Sequence, residues 1–215
     1  MNTVTDGRAA RWEAHNAERR RALVASTLRA IRRHGSGVGM DDIAAEASTS
    51  KPVFYRHFGD RAGLYQAVVD WVQEYILENL PLDDVEHVEP SDLVRGLADS
   101  YLGLVERDPD IYQFVITRPT GDVPDPVLGI TTRIGNEVST ALRSWLERHG
   151  LSTEPANIWG HGVVGFVWAV ADRWIITNMR RPRAEVVSYI DQFTAPTFTH
   201  HQSLTENTNH ARSQR

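Results

Sequence analysis

Apolar residues recur at helical spacing along most of this chain, with polar residues between them. From residue 17 to about residue 33, one stripe of a helix is formed by Leu23, Val24, Thr27, Leu28 and Ile31. The same period returns at 61–80, 91–107, 109–116, 126–149, 155–179 and 183–195. No segment shows the alternation of apolar and polar residues that is typical of a strand. The pattern therefore predicts an all-α protein, with loops at 82–90 and 118–126.

Two short helices with a tight break between them are predicted within residues 39–61. The first carries acidic residues in its first turn and has Ile43, Ala44 and Ala47 at helical spacing. Hydroxyl side chains at 48–50 compete with helical hydrogen bonds, and Pro52 suits the first turn of a second helix. Gly59 can end that helix, and Asp60 can cap the next. This is the pattern of a helix-turn-helix whose recognition helix is 52–58.

The start of the second helix has the chemistry of a DNA contact. Free backbone donors at a helix N-terminus attract phosphate, and Lys51 adds a positive charge there. Tyr55, Arg56 and His57 can donate hydrogen bonds to phosphates or base edges. From spacing alone, a structural helical hairpin with a solvated polar face remains the alternative.

The same stretch resembles the DNA-binding domain of the TetR family of bacterial transcription regulators, with the signature D-I-A-x-x-A-G-V-S-x-x-x-(L/F)-Y-x-x-F-x-x-K. The matching residues are Asp42, Ile43, Ala44, Ala47, Ser50, Phe54, Tyr55 and Phe58, and the resemblance covers about residues 18 to 65. Ser48 and Thr49 replace the usual Gly-Val of the turn, Gly39 replaces a capping Thr, and Arg61 replaces the Lys. The first two changes can alter the turn or weaken the cap.

The resemblance implies a dimeric, ligand-responsive regulator, in most cases a repressor, that binds a palindromic DNA operator. The implied fold is an N-terminal three-helix helix-turn-helix DNA-binding domain followed by a helical ligand-binding and dimerisation domain. We predict a flexible arm at 1–16, the DNA-binding domain at 17–62, the second domain at 63–197 and a disordered tail at 198–215. The predicted DNA-binding residues are Ser50, Lys51, Pro52, Val53, Tyr55, Arg56, His57 and Arg61. Within the arm, Arg8 and Arg11 can reach a neighbouring groove, although a terminus without function is an equal alternative.

The charge distribution supports a basic head on an acidic body. Residues 1–61 hold 11 basic and 7 acidic side chains, a net charge of +4, whereas the remainder holds 12 basic and 21 acidic, a net charge of −9. The chain lacks cysteine, which excludes disulfides and thiolate chemistry. It has neither a transmembrane-length apolar run nor a signal peptide, so we expect a cytoplasmic protein.

Residues 155–179 predict a helix that is apolar on nearly all sides. Such a helix must be buried on all sides, so one face is expected to line the interior and the other to meet a second subunit. The predicted dimer interface is Gly165, Trp168, Ile175, Val186, Val187 and Ile190. A monomeric core with an unusual helix is the alternative.

Aromatic residues in the body can line a cavity for a small effector, although residues of this type are more often ordinary core. The predicted lining is Trp71, Tyr101, Tyr112, Trp145, Trp159, Phe166 and Val170. The segments GMDDIA, SKPVFYRHF and ERDPDIYQF are similar to those of actinobacterial regulators of lipid metabolism that sense fatty acyl-CoA, which implies a lipophilic effector.

Catalysis has little support in the sequence. No HExxH, GxSxG or P-loop spacing appears, and His161 on the apolar helix reads as a core histidine. We therefore predict no catalytic residue, no cofactor and no metal. A helical enzyme or an acyl-carrier or binding module without a DNA role is the alternative.

Overall fold

A computed structural model describes residues 4–82, 87–117 and 125–213, and their side chains except at 4–8, 126 and 199–213. Within these ranges the chain forms nine α-helices and no strand: α1 (Val4–His34), α2 (Met40–Glu46), α3 (Lys51–Phe58), α4 (Arg61–Glu78), α5 (Pro90–Arg107), α6 (Pro109–Ile116), α7 (Pro126–Arg148), α8 (Ala156–Ile176) and α9 (Arg183–Ser213). The all-α fold is therefore confirmed. Most of the two predicted loops lies outside the described residues.

The first and last helices are longer than the apolar pattern predicts. Helix α1 begins at Val4 rather than near Ala17, and α9 continues to Ser213 with Pro196 inside it. The predicted helix ends were wrong because the sequences of both extensions are polar and carry no continuous apolar stripe, which is the only feature that periodicity detects. The division into arm, two domains and tail stays a prediction, and the side chain of Arg8 lies outside the description.

The chain divides into two compact units, and the first consists of Met1–Val72 and Asp108–Pro126. In this unit α1 packs against α2 and α6, and α2 packs against α3. Its core is filled by side chains of all five helices, including Leu23, Ile31, Ile43, Phe54, Leu64, Val68 and Ile111. Helix α6 thus belongs with the helix-turn-helix and not with the helices that flank it in sequence.

Two polar contacts hold α6 in the first unit. Arg32 of α1 donates two hydrogen bonds to the carboxylate of Asp108, at 2.5 and 3.1 Å. The Tyr65 hydroxyl donates to the carbonyl oxygen of Val115 at 2.6 Å. Asp108 and Tyr65 are both buried, so each contact satisfies a polar group that is withdrawn from water.

The second unit consists of Gln73–Arg107 and Val127–Arg215, and in it α5 packs against α8 and α9. Helices α7 and α8 also approach closely. A Cβ atom on Gly160 of α8 would lie 2.6 Å from the backbone nitrogen of Ser139 on α7. Only a residue without a side chain permits this approach.

Within the chain, helix α8 is buried along one side. Its buried residues are Ala156, Gly160, Val164, Val167, Ala171 and Trp174. Trp159, Phe166 and Val170, which were predicted to line an effector cavity, are half-buried, as are the predicted dimer residues Trp168 and Ile175. Periodicity could not choose the inner side of this helix, because apolar residues point in almost every direction around it.

Candidate nucleic-acid interface

The turn between α2 and α3 keeps a tight geometry without the usual glycine. Ser48 has a φ of 48°, in the left-handed region that glycine favours. Its backbone N–H donates to the carbonyl of Ala45 at 2.9 Å, and that of Thr49 donates to the carbonyl of Ala44 at 3.0 Å. These two bonds are the Schellman ending of a helix. The turn is therefore closed as a glycine would close it, at the cost of strain at Ser48.

The ends of the two short helices follow the local signals in the sequence. Gly39 precedes α2 and makes no side-chain cap bond. Gly59 ends α3 with a φ of 81°, and the Asp60 carboxylate accepts a bond of 2.8 Å from the N–H of Gly63. Helix α3 is thus bounded by residues that cannot continue it.

Helix α3 places two aromatic side chains inward and its polar side chains outward. Phe54 and Phe58 are buried, with ring centroids 6.0 Å apart. Ser50, Pro52, Tyr55 and Arg56 are exposed, whereas Lys51, Val53 and His57 are half-buried. Of the seven predicted DNA-binding residues within 50–57, four are therefore exposed to solvent and three are half-buried.

Lys51 lies at the first turn of α3 and faces an acidic residue of α2. Its Nζ is 2.8 Å from a carboxylate oxygen of Asp41, whose side chain is 85% exposed. The hydrogen bond to Asp41 raises the pKa of Lys51, so the ammonium stays charged. Asp41 competes with any phosphate that approaches this lysine.

Two arginines hold the neighbouring segments of the helix-turn-helix. Arg61, a predicted phosphate contact, donates to the carbonyl of Val38 at 3.3 Å, ahead of α2. Arg20 of α1 donates to the carbonyl of His57 at 2.7 Å, and its guanidinium lies 4.5 Å from the ring centroid of Phe58. Basic residues in the first turns of the predicted helix suggested that phosphates face residues 19–21, and the structure engages Arg20 with α3.

His57 lies in a positive environment at the end of α3. Partial burial lowers its pKa, and the charges of Arg56, Arg19 and Arg20 lower it further. Arg19 and Arg56 have no acidic partner within ion-pair distance among the side chains that the structure describes. This part of the surface is therefore electropositive and open to an anion.

Comparison with known proteins identifies the family of this fold. The family described as "Bacterial regulatory proteins, tetR family" matches residues 23–68, and "Tetracyclin repressor-like, C-terminal domain" matches residues 83–207. The chain belongs to the TetR family. It is 31% identical over 191 residues to the uncharacterized HTH-type transcriptional regulator MT0489 of Mycobacterium tuberculosis, covering 88% of this chain and 81% of that relative. It is also 26% identical to the transcriptional activator FasR of Mycolicibacterium smegmatis, covering 74% and 72%.

Solved structures of TetR-type regulators share the fold at low identity. The regulator FadR of Bacillus subtilis in complex with stearoyl-CoA has a TM-score of 0.62 at 10% identity, covering 80% of this chain and 95% of FadR. AibR in complex with isovaleryl coenzyme A and operator DNA has a TM-score of 0.55 at 20% identity, covering 81% and 97%. Among the described helices of our TetR protein, none has both the length and the apolar content to cross a membrane.

The predicted effector residues of this TetR protein are distributed over both units. Trp71 and Tyr112 belong to the first unit, and the other five belong to the second. Trp145 is buried, donates to Glu89 at 3.1 Å and meets Phe198 edge-on, as Trp159 also does. Phe198 was missed because it lies in the predicted disordered tail. Tyr101 and Phe166 are half-buried, and Val170 lines a cleft of about 650 Å3 between α8 and α9.

The predicted dimer residues differ in how far they are buried within the chain. Gly165 is exposed on α8, and Trp168 and Ile175 are half-buried. Val186, Val187 and Ile190 are buried within the chain and have little area left for a partner. The large apolar side chains that α9 exposes are instead Tyr189 and Phe193.

Proposed function

We propose that this protein is a dimeric transcriptional repressor that binds a palindromic operator through α3 and is released by a lipophilic, fatty acyl-CoA-like effector. The observation that carries the proposal is the exposed polar face of α3, which presents Tyr55 and Arg56 outward while Phe54 and Phe58 fix the helix from below. In this orientation α3 can lie in a major groove with Lys51 at the phosphates of one edge. A cytoplasmic location, where the DNA is, belongs to the same proposal.

The assignment of roles along α3 follows from charge and exposure. Lys51 and Tyr55 anchor phosphates, and Arg56 reads a base edge because a guanidinium pairs in two-pronged fashion with guanine. His57 is only half-buried and remains a reader of bases. Arg61 contacts phosphate only if it leaves the carbonyl of Val38, so we assign it a supporting role.

An exposed stripe on α8 and α9 supports the dimer. Of the seven large hydrophobic side chains that are exposed in the described part of the chain, four lie on these two helices: Ile158, Ile176, Tyr189 and Phe193. On α8 the first two are joined by the exposed small residues Gly162, Gly165 and Ala169, at spacings of three, four and seven. A row of small residues between larger ones lets a second copy of α8 approach closely, and a dimer also supplies the two heads that a palindrome needs.

The effector class is supported by the acyl-CoA ligands of related regulators. The FadR and AibR structures hold acyl-CoA molecules, as their names state. In the second unit, three of the aromatic residues that were predicted to line the effector cavity keep some exposed surface: Tyr101, Trp159 and Phe166. An acyl-CoA that releases DNA must bind the DNA-incompetent arrangement more tightly than the competent one.

Selection of binding sites from a library of random duplexes tests the DNA proposal. We expect the wild-type protein to enrich inverted repeats whose half-sites are about 34 Å apart or a multiple of that distance. Lys51→Ala and Tyr55→Ala should weaken binding to the selected site. Arg143→Ala, which removes an exposed positive charge from α7 in the second unit, is the matched control and should not.

Several results decide between the alternatives. If Lys51→Ala and Tyr55→Ala bind as tightly as wild type, α3 is not the recognition helix. If no duplex is enriched, but the protein converts a substrate catalytically or carries an acyl group, the enzyme or carrier alternative is correct. If acyl-CoA increases operator affinity, as for a ligand-dependent activator, the repressor part of the proposal fails.

A further inference from the structure

The N-terminal turns of α1 and the end of α3 together form a cleft. It has a volume of about 410 Å3 and is lined by Trp12, His15, Asn16, Arg19, Arg56 and His57. The four α1 residues are spaced at three, four and seven positions, so they lie on one face of the helix. The cleft exists because α1 begins at Val4, well before the first apolar residue of its stripe.

Contacts between α1 and α3 keep this face beside the outer surface of α3. Arg20 bonds the carbonyl of His57 and covers the ring of Phe58, so α1 is held at the end of α3 one residue beyond Arg19. The cleft is consequently continuous with Arg56, which the proposed function places on a base edge.

The chemistry of the cleft suits an anion beside an apolar surface. Arg19 and Arg56 contribute two positive charges from different helices, and among the described side chains neither is neutralised by an ion pair. Partial burial, and after it the charges of Arg56, Arg19 and Arg20, lower the pKa of His57 beside them. Trp12 lies at the rim with 69% of its surface exposed to water, so that part of its indole contributes no hydrophobic stabilisation when the chain folds.

We propose that Trp12, His15, Asn16 and Arg19 form a second DNA-contacting surface that extends the one on α3 onto the phosphates flanking each half-site. Arg19 holds a phosphate at the cleft, beside Arg56 on its base edge, and Trp12 packs against the adjoining sugar. From Trp12 to Arg19 the helix rises about 10 Å, which is about the axial length of three phosphates on one strand. The inference rests on the proposed function, since it requires α3 to be docked on a duplex.

The salt dependence of operator binding tests this surface in the full-length protein. Each phosphate contact that is lost lowers the slope of log K against log salt by about 0.9. A dimer on a palindrome carries Arg19 twice, so Arg19→Ala should lower the slope by about 1.8, and between 50 and 200 mM salt the affinity of the wild type should fall about twelvefold more than that of the variant. Trp12→Ala should weaken binding without a comparable change in slope, because it removes no charge.

Arg21→Ala is the matched control, since Arg21 is an exposed arginine on the opposite side of α1. It should retain both the affinity and the slope of the wild type. A duplex trimmed to remove the flanking phosphates should abolish the difference between wild type and Arg19→Ala. The inference is overturned if Arg19→Ala and Trp12→Ala match Arg21→Ala on the long duplex.

The α3 variants separate this result from a failure of the proposed function. If Lys51→Ala weakens binding while Arg19→Ala and Trp12→Ala do not, only the second surface is refuted. If none of the three changes binding, α3 is not docked on the duplex, and both proposals fall.

Discussion

Two glycines in the middle of α8 provide a sharp test of the proposed dimer face. Gly162 and Gly165 are exposed, and a Cβ atom built on either would meet no other atom within 4 Å. A glycine in a helix interior costs about 1 kcal/mol relative to alanine. If this face is turned to solvent, replacing both by alanine should raise the free energy of unfolding by about 2 kcal/mol.

If a partner subunit packs on this stripe, the same double substitution should destabilise the dimer instead of stabilising the protein. In a two-fold dimer each added methyl group appears twice, in space that the facing helix occupies. Overpacking of a close contact costs about 1–3 kcal/mol. Since 1.4 kcal/mol is a factor of ten in affinity, we expect the double variant to dissociate at a protein concentration about 10- to 100-fold higher than the wild type.

Sedimentation equilibrium over a dilution series, with thermal melts at the same concentrations, measures both effects. Gly160→Ala is the control on the same helix, because its methyl group would press against the backbone of Ser139 inside the unit. That variant should be destabilised at every concentration. A double variant that dimerises as tightly as the wild type and melts at a higher temperature would show that the stripe faces solvent, and the dimer face would have to be sought elsewhere.

Three further substitutions test contacts of the first unit. Arg32→Ala removes a two-pronged bond to a buried carboxylate and should lower the free energy of unfolding in urea by about 2 kcal/mol. Arg33→Ala, which loses only an exposed ion pair, should cost less than about 1 kcal/mol, and equal losses would contradict the argument. Ser48→Gly should stabilise the protein by roughly 0.5–1 kcal/mol because the left-handed backbone no longer carries a side chain; a loss of stability would show that Ser48 is not strained. Asp41→Asn should tighten binding of the dimer to any duplex about fivefold, since a charge about 8 Å from a phosphate in water contributes about 0.5 kcal/mol in each of the two subunits, and the gain should vanish in high salt.

Local signals in the sequence were sufficient for the helix-turn-helix. Pro52, Gly59 and Asp60 each act within a few residues of their own position, and the structure places a helix start, a left-handed residue and a cap at these points. Whether the turn at Ser48 closes could not be predicted from the sequence. A serine there is compatible with either a retained or an altered turn, and only the surrounding packing decides.

Burial in the second unit was harder to predict, because it depends on contacts between helices that are far apart in the sequence. The buried state of Val186 and Ile190 depends on which side of α9 meets α5, and an apolar stripe does not state its partner. The aromatic residues of the body were identified correctly as apolar, but Trp145 turned out to be closed off by Phe198, a residue of the predicted tail. Periodicity finds apolar positions, whereas cavities and interfaces depend on how the helices pair.

Helix α6 is fixed in the first unit through a buried polar contact at each of its ends. The chain passes from the last residue of α5, Arg107, directly to Asp108, whose buried carboxylate is bonded to Arg32 of α1. At the other end of α6, Tyr65 of α4 bonds the Val115 carbonyl. Breaking bonds to buried polar groups costs about 1–3 kcal/mol each, which is as large as typical couplings between two sites. Within the first unit, α6 is therefore tied to α1, and α1 holds the end of α3 through Arg20. Disruption of the Arg32–Asp108 pair should then loosen α1 against α3 and weaken operator binding, which titration of Arg32→Ala with the selected duplex would measure; an unchanged affinity would show that α3 keeps its position without this pair.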